Sequence, residues 1–394
     1  MDRYEKFDNK RILIWGYGRE GKSSARFCEQ WCSPASIEVF EGKREDINED
    51  RYDYIIKSPG IVMEGDNEKY TSQTQIFLEC YKNNTIGITG TKGKSTTSAL
   101  MHRVLTRAGM DAVLVGNIGE PALDHFGHIT KDTVAVYEMS CHQLAHLCVS
   151  PHVAVFLNLF EEHLDYYKTL DKYFAAKANI AKYQDESDHL FAGGNVPHLP
   201  GRAKTWRIDF NEVPDYDLKL LGHHNTYNAH FVYKIASTVY GIDDKTIRDA
   251  LRDFTGLEHR LCNIGCSCGI DCYDDSISTI PSATIEALSS IKNAKTVLIG
   301  GMDRGISYDA LISYINDHDM YNYIFMYESG KRIYDGIVRT DNCYLTSDLE
   351  AAVKKGFEIT PAGSALILSP AAASYGYFKN FEERGDVFRK LCGL

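Results

Sequence analysis

The stretch Thr85-Ile86-Gly87-Ile88-Thr89-Gly90-Thr91-Lys92-Gly93-Lys94-Ser95-Thr96-Thr97 has the residue types and spacing to handle phosphate. Glycines at 90 and 93 let the backbone approach phosphate oxygens, and N–H groups at the start of a following helix point at the anion. Lys94 would reach the outer phosphates, and the Ser95 hydroxyl would serve Mg²⁺. The strict pattern G-x-x-x-x-G-K-[ST] asks for glycine where this chain has Ile88. The match is therefore to a variant, G-T-x-G-K-S-T, running through Gly90, Thr91, Gly93, Lys94, Ser95 and Thr96. A purely structural glycine turn would leave Gly93-Lys94-Ser95-Thr96 directly after a strand unexplained.

Further along, two strand-like runs end in residues that suit a metal: Tyr137-Glu138 and the segment Leu157 to His163. Ligands gather beyond the C-terminal ends of parallel strands, which puts Glu138 and His163 within reach of Mg²⁺ beside the phosphate loop. For His163 alone, a capped or buried imidazole is an equal reading. Lys177 falls on the same side of a helical segment as Tyr173, Ile180 and Ala181. Either it carries its charge out to water along an apolar face, or its amine is held neutral and chemically modified; the pattern by itself favours the first. Asn225 and Asn228 open a long helical segment, where two amides three apart either cap the helix or read the edge of a nucleobase.

These residues need elements to position them. The apolar run at Ile86 and Ile88 reads as a strand, and residues 98–105 read as a helix, so the phosphate loop sits in a strand–loop–helix unit. Earlier, Lys10–Trp15 is a buried-strand pattern that runs into Gly16-Tyr17-Gly18-Arg19-Glu20-Gly21 and then a helix over 22–31, a second phosphate-binding turn. The strand at 36–40 ends at Glu41, about twenty residues on, where an acidic residue meets a ribose. Ser58-Pro59-Gly60 forms a turn suited to a ligand-side loop. A helix is expected over 71–83, and strands over 111–115, 133–137 and 153–159. Beyond residue 258 strands and helices alternate again, and loops carrying Asp274-Asp275-Ser276, Gly300–Gly305 and Ser369–Ser374 follow strands. That pattern predicts a third doubly wound parallel sheet with its loops gathered at one edge.

With 394 residues the chain exceeds one comfortable core and is expected to hold about two to four domains. The net charge of −11 argues against nucleic acid as a partner, since such affinity rests on clustered Lys and Arg. The first residues are charged, and no run approaches the roughly 20 apolar residues of a spanning helix. The expectation is a cytoplasmic protein, not bound to membrane, whose 11 cysteines are reduced. Cys262, Cys266, Cys268 and Cys272 crowd together without C-x-x-C pairs and read as small thiols in a strand-like region rather than a zinc site.

Taken together and in this order, the motifs resemble the Mur ligase family, and within it the ligases that join glutamate to UDP-N-acetylmuramoyl-L-alanine. They include Gly16–Gly21, Ser58–Ile61, Gly90–Thr96, Gly116-Asn117-Ile118-Gly119, Glu138–Leu144, Glu162–Asp165 and Ala175-Ala176-Lys177. The series continues with His224–Ala229, His259-Arg260, Asp275-Ser276, Gly300–Gly305 and Ser369–Phe381. The resemblance covers essentially the whole chain. It implies an α/β protein of three domains, each with a mainly parallel sheet. These are a Rossmann-like UDP-sugar domain over 1–83, a phosphate-loop ATPase domain over 84–257 and a Rossmann-like amino-acid domain over 258–394.

The implied reaction is ATP-dependent addition of D-glutamate to UDP-N-acetylmuramoyl-L-alanine through an acyl phosphate, by a cytoplasmic monomer serving peptidoglycan synthesis. By motif, Lys94 holds the ATP phosphates, Ser95 and Glu138 serve one Mg²⁺, and His163 with a carbamylated Lys177 serve a second. Asn225 and Asn228 meet the adenine, and Arg260 and Asp275 the phosphate tail and ribose. Gly18, Arg19, Glu20, Glu41, Ser58, Pro59, Gly60 and Asn117 face the UDP-sugar; Thr279, Arg304, Ser374 and Phe381 face the amino acid. Two positions depart from the family pattern. Ile277 stands where lysine is usual, and Arg304 replaces another lysine. Both concern the amino-acid pocket, so L-glutamate is the rival substrate. A nicotinamide oxidoreductase built on Gly16–Gly21 would leave Gly90–Thr96 without a role.

Overall fold

The computed structural model describes residues 3–61, 63, 68–162, 164–220, 222–338 and 341–394. The chain forms two compact units, Met1–Phe254 and Thr255–Leu394. The first holds two sheets. Strands β1 (Arg11–Trp15), β2 (Ser36–Phe40), β3 (Tyr54–Lys57) and β4 (Tyr70–Thr71) form a parallel sheet in the order β2-β1-β3-β4. Strands β5 (Thr85–Thr89), β6 (Ala112–Gly116), β7 (Val134–Glu138), β8 (Val153–Phe156), β9 (His189–Gly193) and β10 (Lys204–Ile208) form a second parallel sheet, ordered β10-β9-β8-β5-β7-β6. All residues of β5, β7 and β8 are buried, as expected of central parallel strands covered by helices on both faces. The switch in strand order beside β5 opens the crevice in which such sheets bind ligands.

The second unit carries β11 (Cys262–Ser267), β12 (Ile270–Asp274), β13 (Ala294–Ile299), β14 (Asn322–Phe325), β15 (Cys343–Leu345) and β16 (Ala365–Leu368), in the order β11-β12-β16-β13-β14-β15. The expected doubly wound parallel sheet is present from β12 to β15, but β11 adds an antiparallel edge. Its turn is Cys268-Gly269, with φ of 53° and 77°, the left-handed pair that a two-residue hairpin demands. Pleating separates the crowded cysteines: Cys272 is buried, whereas Cys266 and Cys268 are exposed.

Other departures from the sequence reading are local. The strand expected over 153–159 stops at Phe156, because Asn158 turns to bond the phosphate loop. The helix expected over 71–83 runs from Gln73 to Tyr81, capped by Ser72, whose hydroxyl accepts from Gln75 N, and ends in a short 3₁₀ turn over Lys82–Asn84. Strands β9, β10 and β15 carry no counterpart in that reading. Among the described residues no helix is long and apolar enough to cross a membrane.

Candidate active site

Between β5 and the helix Lys94–Arg107, the loop turns through Gly93 at φ 84°. A Cβ there would lie 2.5 Å from Asn228 Oδ1, so glycine is required both by the left-handed backbone and by the approach of the amide. Asn158 braces the loop from β8's end. Its carbonyl accepts from Thr91 N at 3.0 Å, its Oδ1 accepts from Lys92 N at 2.9 Å, and its Nδ2 donates to Lys92 O at 3.0 Å. Thr91 Oγ1 donates to Phe160 O and accepts from Phe160 N. The Lys94 ammonium folds back over the loop, donating to Gly90 O at 3.0 Å and Thr91 O at 2.8 Å. Ser95 is buried and Thr96 half-buried in the first helical turn.

Lys177 reaches the same loop from the helix Leu170–Lys182. It is 1% exposed, and its Nζ donates to Thr89 Oγ1 at 3.1 Å and Gly90 O at 2.9 Å, with the Tyr173 ring centroid 5.0 Å away. The reading in which this lysine carries its charge out to water is therefore overturned: the stem points at the loop, not along the surface. Burial first, and the Lys94 charge second, lower its pKa from 10.5 to about 7, so the amine is substantially neutral at neutral pH. Glu138, at the end of β7, is completely buried. Its Oε1 accepts from Asn117 Nδ2 at 2.7 Å, while Oε2 has no hydrogen-bond partner. A buried carboxylate oxygen without a donor is what a hard cation completes. The bare Glu138 oxygen and the Ser95 hydroxyl are oxygen donors of the type that Mg²⁺ takes. His163 lies outside the described residues.

In the same unit, Gly18 caps the helix Arg19–Trp31, and Ser58 Oγ donates to Gly16 O at 3.0 Å, closing the turn against β3's end. Gly18, Arg19, Glu41 and Gly60 are exposed, and Pro59 is half-buried. Arg19 donates to Gly119 O at 2.7 Å, in the segment that also carries Asn117. Glu20 turns to the second sheet, where its Oε1 accepts from Gln143 Nε2 at 2.7 Å and its Oε2 is buried without a partner. Burial raises its pKa to about 7 against the opposing effects of Gln143, Lys57 and Arg19. Lys57 is itself buried, donates to Ser58 O and Ile61 O, and is lowered to about 8. At the helix His223–Thr238 the cap is Gly222, with no side-chain cap bond. The capping alternative for Asn225 and Asn228 is thus set aside: Asn228 is buried against Gly93, and Asn225 is half-buried one turn earlier.

In the second unit Asp275 is buried. It accepts from Ser278 Oγ at 2.5 Å, Ser369 Oγ at 2.7 Å and Leu261 N at 3.1 Å; burial nevertheless raises its pKa to about 7. Arg260 is exposed and follows a buried His259 whose Nδ1 pairs with Asp274 at 2.7 Å. Arg304 is exposed and donates to Thr279 O at 3.0 Å, which brings two of the expected pocket residues together. Ser374 is buried, and Phe381 stands edge-on to His259 at 6.1 Å. Sequence reasoning passed over Asn158, Gln143, Lys57 and Arg384. Gln143 had a signal, since Ser140 and Gln143 form a capping box; Asn158 and Arg384 owe their roles to partners distant in sequence, whereas Lys57 donates to carbonyls of the turn that follows it.

The geometry agrees with what this chain is similar to. The model described as "Mur ligase middle domain" matches residues 88–205. A protein of Streptococcus agalactiae serotype III named UDP-N-acetylmuramoylalanine--D-glutamate ligase is 32% identical over 447 aligned positions, covering 98% of each chain. One of the same name from Streptococcus mutans is 31% identical with the same coverage. Among solved structures, the MurF ligase of Thermotoga maritima in complex with ADP superposes with a TM-score of 0.62 at 16% identity, covering 100% of this chain and 98% of that one. The UDP-N-acetylmuramate-alanine ligase of the same organism gives 0.60 at 17% identity, covering 97% and 98%.

Proposed function

The chain belongs to the Mur ligase family, and on that premise we propose that it is an ATP-dependent ligase adding D-glutamate to UDP-N-acetylmuramoyl-L-alanine. The observation that carries this reading is the loop Gly90–Gly93 with Lys94, the buried Lys177 and the half-partnered Glu138 around it. The alanyl carboxylate attacks the terminal phosphoryl group of ATP, giving an acyl phosphate and ADP. The amine of glutamate then attacks the acyl carbon, the C–O bond to phosphate breaks, and the amine loses a proton as the peptide bond forms. Such transfers depend on positioning and charge neutralisation. Lys94 exchanges its two carbonyl partners for phosphate oxygens as the nucleotide enters, and loop N–H groups take the rest. Ser95 and Glu138 would hold one Mg²⁺, and His163 with a carbamylated Lys177 a second; the ions would supply neutralisation of phosphate charge.

Asn225 and Asn228 read the adenine, and Arg260 and Asp275 the phosphate tail and ribose. Gly18, Arg19, Glu20, Glu41, Ser58, Pro59, Gly60 and Asn117 serve the UDP-sugar, and Thr279, Arg304, Ser374 and Phe381 the glutamate. In this reading segments 1–83, 84–257 and 258–394 are the sugar, ATP and amino-acid domains of a cytoplasmic monomer. A second reading, L-glutamate, is favoured by one observation: Ile277 is apolar, leaving Arg304 as the cation of the pocket. Phosphate release with ATP, Mg²⁺ and UDP-N-acetylmuramoyl-L-alanine, run with D- and then L-glutamate, tests both. Release with D-glutamate at the higher kcat/KM is expected; none with either isomer refutes the ligase, and preference for L refutes the stereochemistry.

A further inference from the structure

Arg384, on the helix Phe381–Leu391, is a charged side chain with no solvent exposure. Its guanidinium makes three hydrogen bonds, all to uncharged oxygens: Nε to Ser276 Oγ at 3.0 Å, Nη2 to Ser276 O at 2.7 Å and Nη1 to Ala372 O at 3.0 Å. Ser276 Oγ passes the connection on, donating to Phe381 O at 2.8 Å. The third loop closes on the same group: a Cβ on Gly301 would lie 3.0 Å from Nη1 and 2.3 Å from Ala373 O. Burial lowers the Arg384 pKa to about 10, with Asp274, Tyr327 and Asp275 opposing, so it stays charged at neutral pH.

An apolar residue of this size would hold a core at least as well as a buried cation. What the guanidinium adds is a rigid planar fork that fixes several backbone segments at once. The segments it fixes are those of the proposed glutamate pocket. Thr279 lies three residues beyond Ser276, Arg304 three beyond Gly301, Ser374 two beyond Ala372, and Phe381 three before Arg384 itself. We propose that Arg384 is a positioning residue for the incoming amino acid, setting the mutual placement of the three loops and the helix start that bind it. This rests on the ligase reading above.

Steady-state phosphate release by the full chain, with each substrate varied in turn, tests the proposal. Arg384→Lys keeps the charge but loses the fork. The KM for D-glutamate should rise about tenfold or more, because small misplacements of binding groups carry costs of that size. The KM values for ATP and the UDP-sugar should stay within about twofold. Ser276→Ala, which removes one partner of the fork, should shift the same KM in the same direction by less. The double variant should fall short of the product of the two effects, as coupled residues do. An unchanged glutamate KM in Arg384→Lys, or equal rises for all three substrates, overturns the proposal. Should Arg384→Lys fail to give the native circular dichroism spectrum, Ser276→Ala decides alone: a rise confined to glutamate supports the proposal, and no rise overturns it. Wild-type protein without turnover would instead remove the ligase reading.

Discussion

Lys177→Met is the perturbation from which the most can be learned, because its consequence for stability follows from burial before any assumption about catalysis. The drop of the amine's pKa from 10.5 to about 7 corresponds to roughly 5 kcal/mol of added cost for the charged form, at about 1.4 kcal/mol per pH unit. The folded pKa lies below the unfolded one. Between about pH 7 and 10.5 the unfolded chain therefore holds a proton that the folded chain does not, and stability rises with pH. Below about pH 7 both states hold it, and the cost is constant. Methionine removes the titration. Its loss of the bonds to Thr89 Oγ1 and Gly90 O is independent of pH in this range and cancels in the comparison.

The stability of wild type minus that of Lys177→Met should thus climb by roughly 2 kcal/mol from pH 7 to pH 9, about 4–8 °C in Tm for a unit of this size. Tryptophan fluorescence during thermal unfolding, in CO₂-depleted buffer without Mg²⁺, is a suitable assay. The chain's 3 tryptophans, Trp15, Trp31 and Trp206, all lie in the first unit with Lys177. A difference that stays flat or falls over this interval refutes the buried neutral amine. With Mg²⁺ then present throughout, adding bicarbonate should raise the Tm of wild type and leave that of Lys177→Met unmoved, since a ligand that binds only the folded form stabilises it. Equal responses would refute carbamylation.

Three further outcomes are expected. Lys94→Ala should lower kcat for phosphate release on the order of 10²-fold or more, with the circular dichroism spectrum retained; near-normal turnover would remove Lys94 from phosphate binding. In Gly93→Ala the left-handed backbone costs about 1–2 kcal/mol and the new methyl meets Asn228 Oδ1 at 2.5 Å. Its KM for ATP should rise about tenfold, and an unchanged value would show that the loop geometry is not used. Arg304→Lys should raise the KM for glutamate while leaving that for ATP unchanged, because the bidentate fork is lost and the charge kept; equal KM values in variant and wild type would dismiss Arg304 as the carboxylate's partner.

The phosphate loop was legible because all its determinants are contiguous: strand, glycines, lysine and hydroxyls follow one another from Thr85 to Thr97. Lys177 was legible only in part. Helical periodicity places it with Tyr173, Ile180 and Ala181, but whether its ammonium meets water depends on Thr89 and Gly90, 88 and 87 residues away. Arg384 gave no signal. It sits in Phe381-Glu382-Glu383-Arg384, a charged run of the kind that ordinarily faces solvent, and its burial is decided by oxygens of Ser276, 108 residues earlier. The hairpin of β11 and β12 did have a signal in Cys268-Gly269, two residues between strand-like runs, which the crowding of cysteines obscured.

The polar groups that escaped sequence reading have a common physical logic, clearest where the two sheets of the first unit meet. Tyr137 Oη and Thr74 Oγ1 are 2.9 Å apart and buried, Gln143 donates to Glu20, Arg19 donates to Gly119 O, and Arg26 pairs with Asp124 at 2.7 Å. Apolar contact such as Phe27 against Phe126, at 4.8 Å between centroids, supplies adhesion but tolerates sliding. Directional bonds do not, because a displaced buried donor or acceptor loses its partner and bears the full desolvation cost. The turn at Gly16–Gly21 is therefore tied to the second sheet's side of the unit by Glu20, through Gln143 five residues beyond Glu138, and by Arg19, through Gly119 O. Glu20 is partnered on one oxygen and bare on the other, so losing Gln143 would leave its whole carboxyl group buried without a donor.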